Sequence, residues 1–383
     1  MTCPHCQANA GFKEYRSKTL TSLMGSIQVN RAYYHCSHCH HGTWPWDEKL
    51  RLHSHGFTPG AEEVVSLAGC VESFGQAADR LLQRMAGVQT SESTIQRTTE
   101  DAGERLGQLL DDRQTLGSDQ PWDFFQDAHG DRVGYISLDA TSVPQQGENG
   151  AAAEGRMPYV GMLYNPPPAD WEGKSPEWQA RYVCGLTSLD KLGLVMRTQA
   201  AQVGFDNADR WIGVTDGGNG LEDFLRKNFP PPKLRVILDF YHAAEHVNDF
   251  LKEYCAGDEE QTRELGRDWC HRLKHEGGAA LLELLEQLPL PSRRKSLREA
   301  HRLLQGYVSN NVHRMDYPAY QANGWHIGSG PIESACKTVV NRRLCGGGMR
   351  WREPGTDAMC HLRALYRSEH SQWTAFWNPV IAT

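Results

Sequence analysis

No stretch of the 383 residues is apolar for the ~20 positions a membrane-spanning helix needs. The opening MTCPHCQANA also lacks the apolar core of a secretory signal, which leads us to expect a cytoplasmic, nucleoid-associated protein. There is no internal repeat and no extended low-complexity tract. Charge of one sign is not in large excess: 40 Lys and Arg against 47 Asp and Glu give a net −7, so the chain as a whole lacks a basic balance. The eleven cysteines lack the even count of a disulfide framework; four fall in two Cys-x-x-Cys pairs and seven are scattered, which suits a reduced compartment with one metal site. The loop CGGGMRW, Cys345 to Trp351, lacks the Lys-Ser/Thr ending of a nucleotide-binding loop and reads as a flexible turn.

What is present is unevenly distributed. Residues 1–60 hold six Lys/Arg against three Asp/Glu, with seven of the 17 histidines, and 331–371 hold seven Lys/Arg against four Asp/Glu. The segment 101–139 is acidic. Both ends are therefore locally basic although the whole is not.

Residues 1–56 read as a zinc-ribbon-like module of short strands, with SIQVNRAYYHC a strand ending at Cys36. Cys3-x2-Cys6 and Cys36-x2-Cys39 supply four thiolates, a donor set for one structural tetrahedral zinc. Residues 57–106 read as helix-turn-helix-type DNA-binding helices. Ser73 and Gln76 form a capping box, Gly87 closes the first helix, and Thr90 or Ser91 caps the next. The second helix turns Ile95 inward and presents Ser93, Gln96 and Arg97 outward, where they can reach base edges or phosphates. Residues 107–131, rich in Asp, Gly and Gln, read as a linker.

The pattern then changes to apolar strands. VGYISLDA reads as a strand with Asp139 at its end, RMPYVGMLYN and ARYVCGL follow, WIGVTD ends in Asp216 after a helical stretch, and LRVILD ends in Asp239 after the helix LEDFLRKNF. Three strands, a helix, a strand, a helix and a strand is the order of a ribonuclease-H-like α/β fold. We assign 132–242 to the first part of that core, 243–323 to a helical insertion, 324–366 to its completion and 367–383 to a tail. Pro331 opens a helix bearing Glu333, with Lys337 and Asn341 following on its face and Arg342 and Arg343 extending a basic surface. Strand ends in an open sheet are where sites gather. Oxygen donors suit magnesium, and two such ions about 4 Å apart can activate an attacking hydroxyl and stabilise the leaving oxygen of a phosphodiester.

Together, SLDAT, GVTDGGNGLEDFLRKNFP, ILDFYHAAEHV and GSGPIESACKTVVNRRL resemble bacterial insertion-sequence transposases of the DDE type, in particular the Kra-type (ISKra) group related to Mutator-like transposases. The resemblance implies a catalytic triad of Asp139, Asp216 and Glu333 holding Mg2+ or Mn2+. Asp239-x2-His242 is similar to a signature that follows the second acid in such families. Asp239 also ends a strand, so it competes with Asp216 for that role. The resemblance further implies binding of double-stranded DNA at element ends and target, metal-dependent cleavage and strand transfer, and a homo-oligomer on DNA. A DNA-binding regulator derived from a transposase, or a nuclease of this fold that does not join strands, are the alternatives.

Overall fold

The computed structural model describes residues 1–378 apart from 51, 53–55, 175, 219 and 291–293. At the front, β1 (Ala10–Ser22) and β2 (Gly25–Cys36) form a long antiparallel hairpin, with β3 (Gly42–Thr43) paired to the end of β2. Most of its side chains are exposed on both faces. Its own core consists of Cys3, Ala10 and Cys36, with Tyr34 and the other two knuckle cysteines against them. A cluster that small cannot hold a hairpin by burial alone. The short α1 (Pro45–Lys49) braces it, with Asp47 buried against Arg31. A bond from Thr58 N–H to the Thr21 carbonyl ties the hairpin to the cap of the second helix.

α2 (Pro59–Val71), α3 (Phe74–Gln76), which continues as a π-helical stretch Ala77–Ala86, and α4 (Glu92–Asp111) form the helical block. Ser73 Oγ accepts from Gln76 N–H, Ser91 Oγ accepts from Thr94 N–H, and Gly87 sits at φ 65°, the left-handed conformation that ends a helix. Phe57, Val65, Leu82 and Ile95 share its core. The block is not a free module. α4 lies along α14 (Glu353–Arg367), and a Cβ at Gly103 would sit 2.1 Å from the Ala358 carbonyl oxygen.

Residues 107–131 do not behave as the expected linker. The first five complete α4, Leu116 is buried with Trp373 and Phe376, and Trp122 and Phe124 enter the core beside the sheet. Their polar neighbours masked three anchor positions that the chain uses to bind this segment down. The tail likewise holds α15 (His370–Trp377), with Trp373 and Phe376 buried; its residues 379–383 lie outside the described residues.

The centre is a five-stranded mixed sheet in the order β10-β9-β4-β7-β8, made of β4 (Val133–Ala140), β7 (Tyr159–Asn165), β8 (Gln179–Gly185), β9 (Arg210–Thr215) and β10 (Leu234–Leu238). β4 is central. It runs parallel to β9, β9 runs parallel to β10, and β7 is antiparallel to both β4 and β8. A small hairpin, β5 (Val143–Gln146) with β6 (Ala152–Arg156), precedes β7, so the second expected strand is shorter at its start than RMPYVGMLYN suggested. The sheet is covered on both faces. α5 (Leu189–Gln202) and α6 (Leu221–Asn228) pack with Ile136, Leu138 and Leu163 on one side.

On the other side lie α7 (Phe240–Tyr254), α8 (Glu259–Glu276), α9 (Gly278–Gln287), α10 (Lys295–Asn311) and α11 (Tyr317–Ala322), packed as a helical block against Tyr135, Ile212 and Ile237. This block begins three residues earlier than the 243 boundary expected. α12 (Gly330–Ala335) then continues through a π-helical stretch, Cys336–Asn341, into α13 (Arg342–Leu344), all on that same face.

Candidate active site and metal centre

Strand side chains alternate between faces. In β4, Val133 and Tyr135 join the core under α12 while Ile136 and Leu138 join the opposite one. Asp139 therefore points to the α12 side. In β9, Ile212 and Val214 face that side, and Asp216 keeps their parity just beyond the strand. In β10, Ile237 faces it, and Asp239 keeps its parity.

Register then sets the three acids level. β4 and β9 pair Ser137 with Val214, an offset of 77, which carried two residues further matches 139 to 216. β10 and β9 pair Leu238 with Thr215, an offset of 23, which carried one further matches 239 to 216. Neighbouring strands lie about 4.8 Å apart. Asp216 is thus the immediate neighbour of Asp139, and Asp239 is two strands away.

Each carboxylate has distinct surroundings. Asp139 Oδ1 accepts from Ala140 N–H at 2.7 Å and Oδ2 takes the Cys336 thiol at 3.6 Å. Burial raises its carboxyl above the usual Asp range, the Ala140 bond opposes that, and the charges of Asp216 and Glu333 push it up further. Asp216 is half-buried and accepts from Gly218 N–H at 2.8 Å. Asp239, only 2% exposed, caps α7 by accepting from Tyr241 N–H at 2.8 Å through Oδ1, and takes the Ser329 hydroxyl on Oδ2 at 2.5 Å. Glu333 is exposed on the first turn of α12, with Oε1 3.0 Å from Ser329 Oγ.

Among the described residues, no lysine, arginine or histidine forms an ion pair with Asp139, Asp216 or Glu333. Arg314, buried near the end of β9, spends its guanidinium on Thr215 Oγ1 at 3.0 Å and on Glu222 at 3.4 Å. Three carboxylates on the α12 side of the sheet with no cation of the chain's own offer the oxygen donors that a hard divalent metal takes. Their oxygens are not mutually within 4.8 Å, the separation inside which the described residues gather only the cysteine quartet, so holding one ion requires side-chain rotation.

The sequence missed three neighbours. Ser329 stands four residues before Glu333 and Cys336 three after it, so helical spacing alone could have flagged both. Tyr307 comes from α10, and its buried hydroxyl has no hydrogen-bond partner. A Cβ on Gly217 would lie 3.5 Å from that hydroxyl oxygen. No local pattern marks it. His242 is half-exposed, its Nδ1 3.5 Å from Glu245, with its ring against His246, which in turn lies 4.1 Å from the Tyr307 ring.

The expected DNA-facing residues divide. Ser93, Gln96, Arg97, Lys337 and Arg342 are exposed. Arg343 is not: at 2% exposure it donates to the Gly69 carbonyl at 2.8 Å and lies over the rings of Phe74 and Trp351. It is a strut between the helical block and the Glu333 helix, and no phosphate can reach it. The basic pair Arg342-Arg343 concealed this because one step along a helix turns a side chain by about 100°.

In the front module, the Sγ atoms of Cys3, Cys6, Cys36 and Cys39 lie within 4.8 Å of one another. Cys3 and Cys39 are 3.6 Å apart, and Cys6 and Cys36 3.5 Å. A tetrahedron with Zn–S bonds of about 2.3 Å has edges of about 3.8 Å, so the quartet is shaped for zinc. The two knuckles are built alike. Gln7 N–H returns to the Cys3 carbonyl and His40 N–H to the Cys36 carbonyl, and both Gln7 and His40 take positive φ. Backbone N–H groups of Cys39 and His38 pull the Cys36 thiol down to about 6, while burial and the neighbouring thiols push the Cys39 and Cys6 thiols up, so the four sulfurs share their protons unevenly without a metal.

Residues 7–161 match an uncharacterised protein family (UPF0236), a span that takes in the hairpin, the helical block and the strand bearing Asp139. No curated protein matches the chain. The fold and the two sites define a mixed α/β protein with a cysteine quartet that could hold a metal ion. No helix among the described residues is long and apolar enough to cross a membrane.

Proposed function

We infer that the protein is a DNA transposase of the DDE type, with a ribonuclease-H-like core carrying Asp139, Asp216 and Glu333. The observation that carries this reading is the register that levels Asp139 and Asp216 on adjacent parallel strands, with α12 lowering Glu333 onto the same face. The strand order and the single antiparallel strand β7 support the core assignment. Bound Mg2+ or Mn2+ would supply Lewis-acid activation of the attacking oxygen and stabilisation of the leaving one. The chain's own residues orient the acids: Ala140 N–H and Cys336 fix Asp139, Gly218 N–H fixes Asp216, and Ser329 touches Glu333.

Lys337 and Arg342, exposed on the helix that bears Glu333, face the backbone of the DNA, and Ser93, Gln96 and Arg97 on α4 contact the element end. The zinc module holds the hairpin that adjoins α2. Two copies pair two ends. Of the two candidates for the second acid, we assign Asp216, because it neighbours Asp139 and is open to solvent on one side, whereas Asp239 is enclosed.

The test is a strand-transfer assay with labelled element-end DNA, a plasmid target and Mg2+, run beside Asp139→Ala, Asp216→Ala and Glu333→Ala. We expect joined products from the parent and at least a hundredfold loss in each variant, a magnitude typical of removing a transition-state contact. Nicking without joining would reassign the protein as a nuclease. DNA binding with no metal-dependent chemistry would reassign it as a regulator.

A further inference from the structure

The loop between α11 and α12 is fastened to the start of α7 at two points. Phe240 N–H donates to the Ile327 carbonyl at 2.8 Å, and one residue earlier, at the cap of α7, the Asp239 carboxylate takes the Ser329 hydroxyl. Ser329 is 5% exposed and immediately precedes α12. Its oxygen is also the only described partner of the Glu333 carboxylate. A buried hydroxyl thus stands between an enclosed carboxylate and an exposed one.

The oxygens of Asp239 are both committed, one to the N-terminus of α7 and one to Ser329, and its backbone N–H is bonded to the Thr215 carbonyl. Little of it remains free to meet a ligand. Glu333 is the opposite case: a flexible side chain on an exposed helix turn, with one oxygen touched and the other unbonded. Ser329 has a single proton, donated to Asp239 Oδ2 at 2.5 Å, in the charge-assisted range for O–H···O−, and shared as a bifurcated bond with Glu333 Oε1 at 3.0 Å.

We propose that Asp239 and Ser329 are positioning residues that set Glu333 for cation binding, and that Asp239 is not itself a metal ligand. The proposal rests on the triad reading above. Asp239 holds the Ser329 rotamer, and the Ser329 proton, shared with Glu333 Oε1, holds that carboxylate beside it. Loss of such an outer partner generally costs 10–100-fold in metal affinity, whereas loss of a ligand removes the site.

Mn2+ binding to the full-length, zinc-loaded chain, followed by electron paramagnetic resonance, separates the roles, with strand transfer measured in parallel. Asp216→Asn should abolish Mn2+ binding. Asp239→Asn keeps a cap for α7, since Asn serves at that position as well as Asp, and should lower affinity by no more than about tenfold. Ser329→Ala should weaken binding by about ten- to a hundredfold, and Ser329→Thr, which keeps the hydroxyl, should recover most of it. Thermal melts of each variant show whether it is folded.

The proposal is overturned if Asp239→Asn abolishes Mn2+ binding as Asp216→Asn does, if folded Ser329→Ala binds like the parent, or if the parent binds no Mn2+. The expected binding pattern without any strand transfer would leave the positioning role standing and remove the transposase reading instead.

Discussion

The Asp139 carboxylate costs the fold stability. Its carboxyl is raised by burial and by two neighbouring carboxylates, so the folded chain holds that proton more tightly than the unfolded chain does. Stability from this group therefore falls as pH rises from the ordinary Asp value of about 3.9 through the raised folded value, and stays low above it. Asp139→Asn should accordingly raise the melting temperature at pH 7 without added divalent cation and flatten the fall in stability that begins above about pH 4. A lower melting temperature would show that the carboxylate is stabilising and that the acids do not repel. At this scale much was legible: an acid closing each of three apolar strands stands out in the sequence. The burial of Arg343 was not, because its partners Gly69, Phe74 and Trp351 come from outside its own helix.

Among elements, the α4–α14 crossing decides whether the helical block moves with the sheet. Gly103 meets the Ala358 backbone, and Gly107 meets the ring of His361, within distances no Cβ tolerates. Gly103→Ala should lower stability by about 2 kcal/mol or more in urea titration, as overpacking against backbone generally does. Gly60→Ala, in α2 with nothing within 4 Å of a Cβ, should be neutral or stabilise by up to ~1 kcal/mol through helix propensity. Equal effects at the two positions would mean that the crossing opens easily. The helix signals in this region were readable because caps and a left-handed glycine are local chemistry, and Ser73, Gly87 and Ser91 do as their sequence suggests. The β5–β6 hairpin was not readable. Ala, Glu and Gly dominate β6, residues depleted in strands, and the hairpin is ordered through pairing of Gln146 and Pro144 with the distant Trp351. That pairing also anchors the end of the glycine-rich turn.

Across the whole molecule, the hairpin module and the sheet rest on different physics. The sheet buries apolar side chains on both faces. The hairpin's own apolar cluster is Cys3, Ala10 and Cys36, braced by α1 and the Thr58–Thr21 bond, so a metal held by the cysteine quartet would supply much of its stability. We expect close to one zinc per chain by elemental analysis. Removing it with a chelator, or by Cys36→Ser, should expose the β1 and β2 amides to rapid hydrogen exchange while the β4, β7 and β9 amides stay protected. Retained protection in β1 and β2 would show that the hairpin stands without metal. The knuckle spacing announced the quartet, since two Cys-x-x-Cys turns are local geometry. That the two sulfur pairs close on one another depends on the full β1–β2 register, which sets Ala10 opposite Cys36.

The sequence by itself determined the local features: strand alternation, helix caps, the two knuckles, and an acid closing each of three strands. Those depend on residues within a few positions of one another, and short-range periodicity and propensity record them. Only the tertiary structure decided which acids meet. Asp139 and Asp216 are neighbours because β9 pairs with β4 at an offset of 77 residues, and Asp239 is enclosed because Ser329 returns to it from 90 residues away. Pairing and burial over such separations are set by how whole layers pack, and no window along the chain contains both partners.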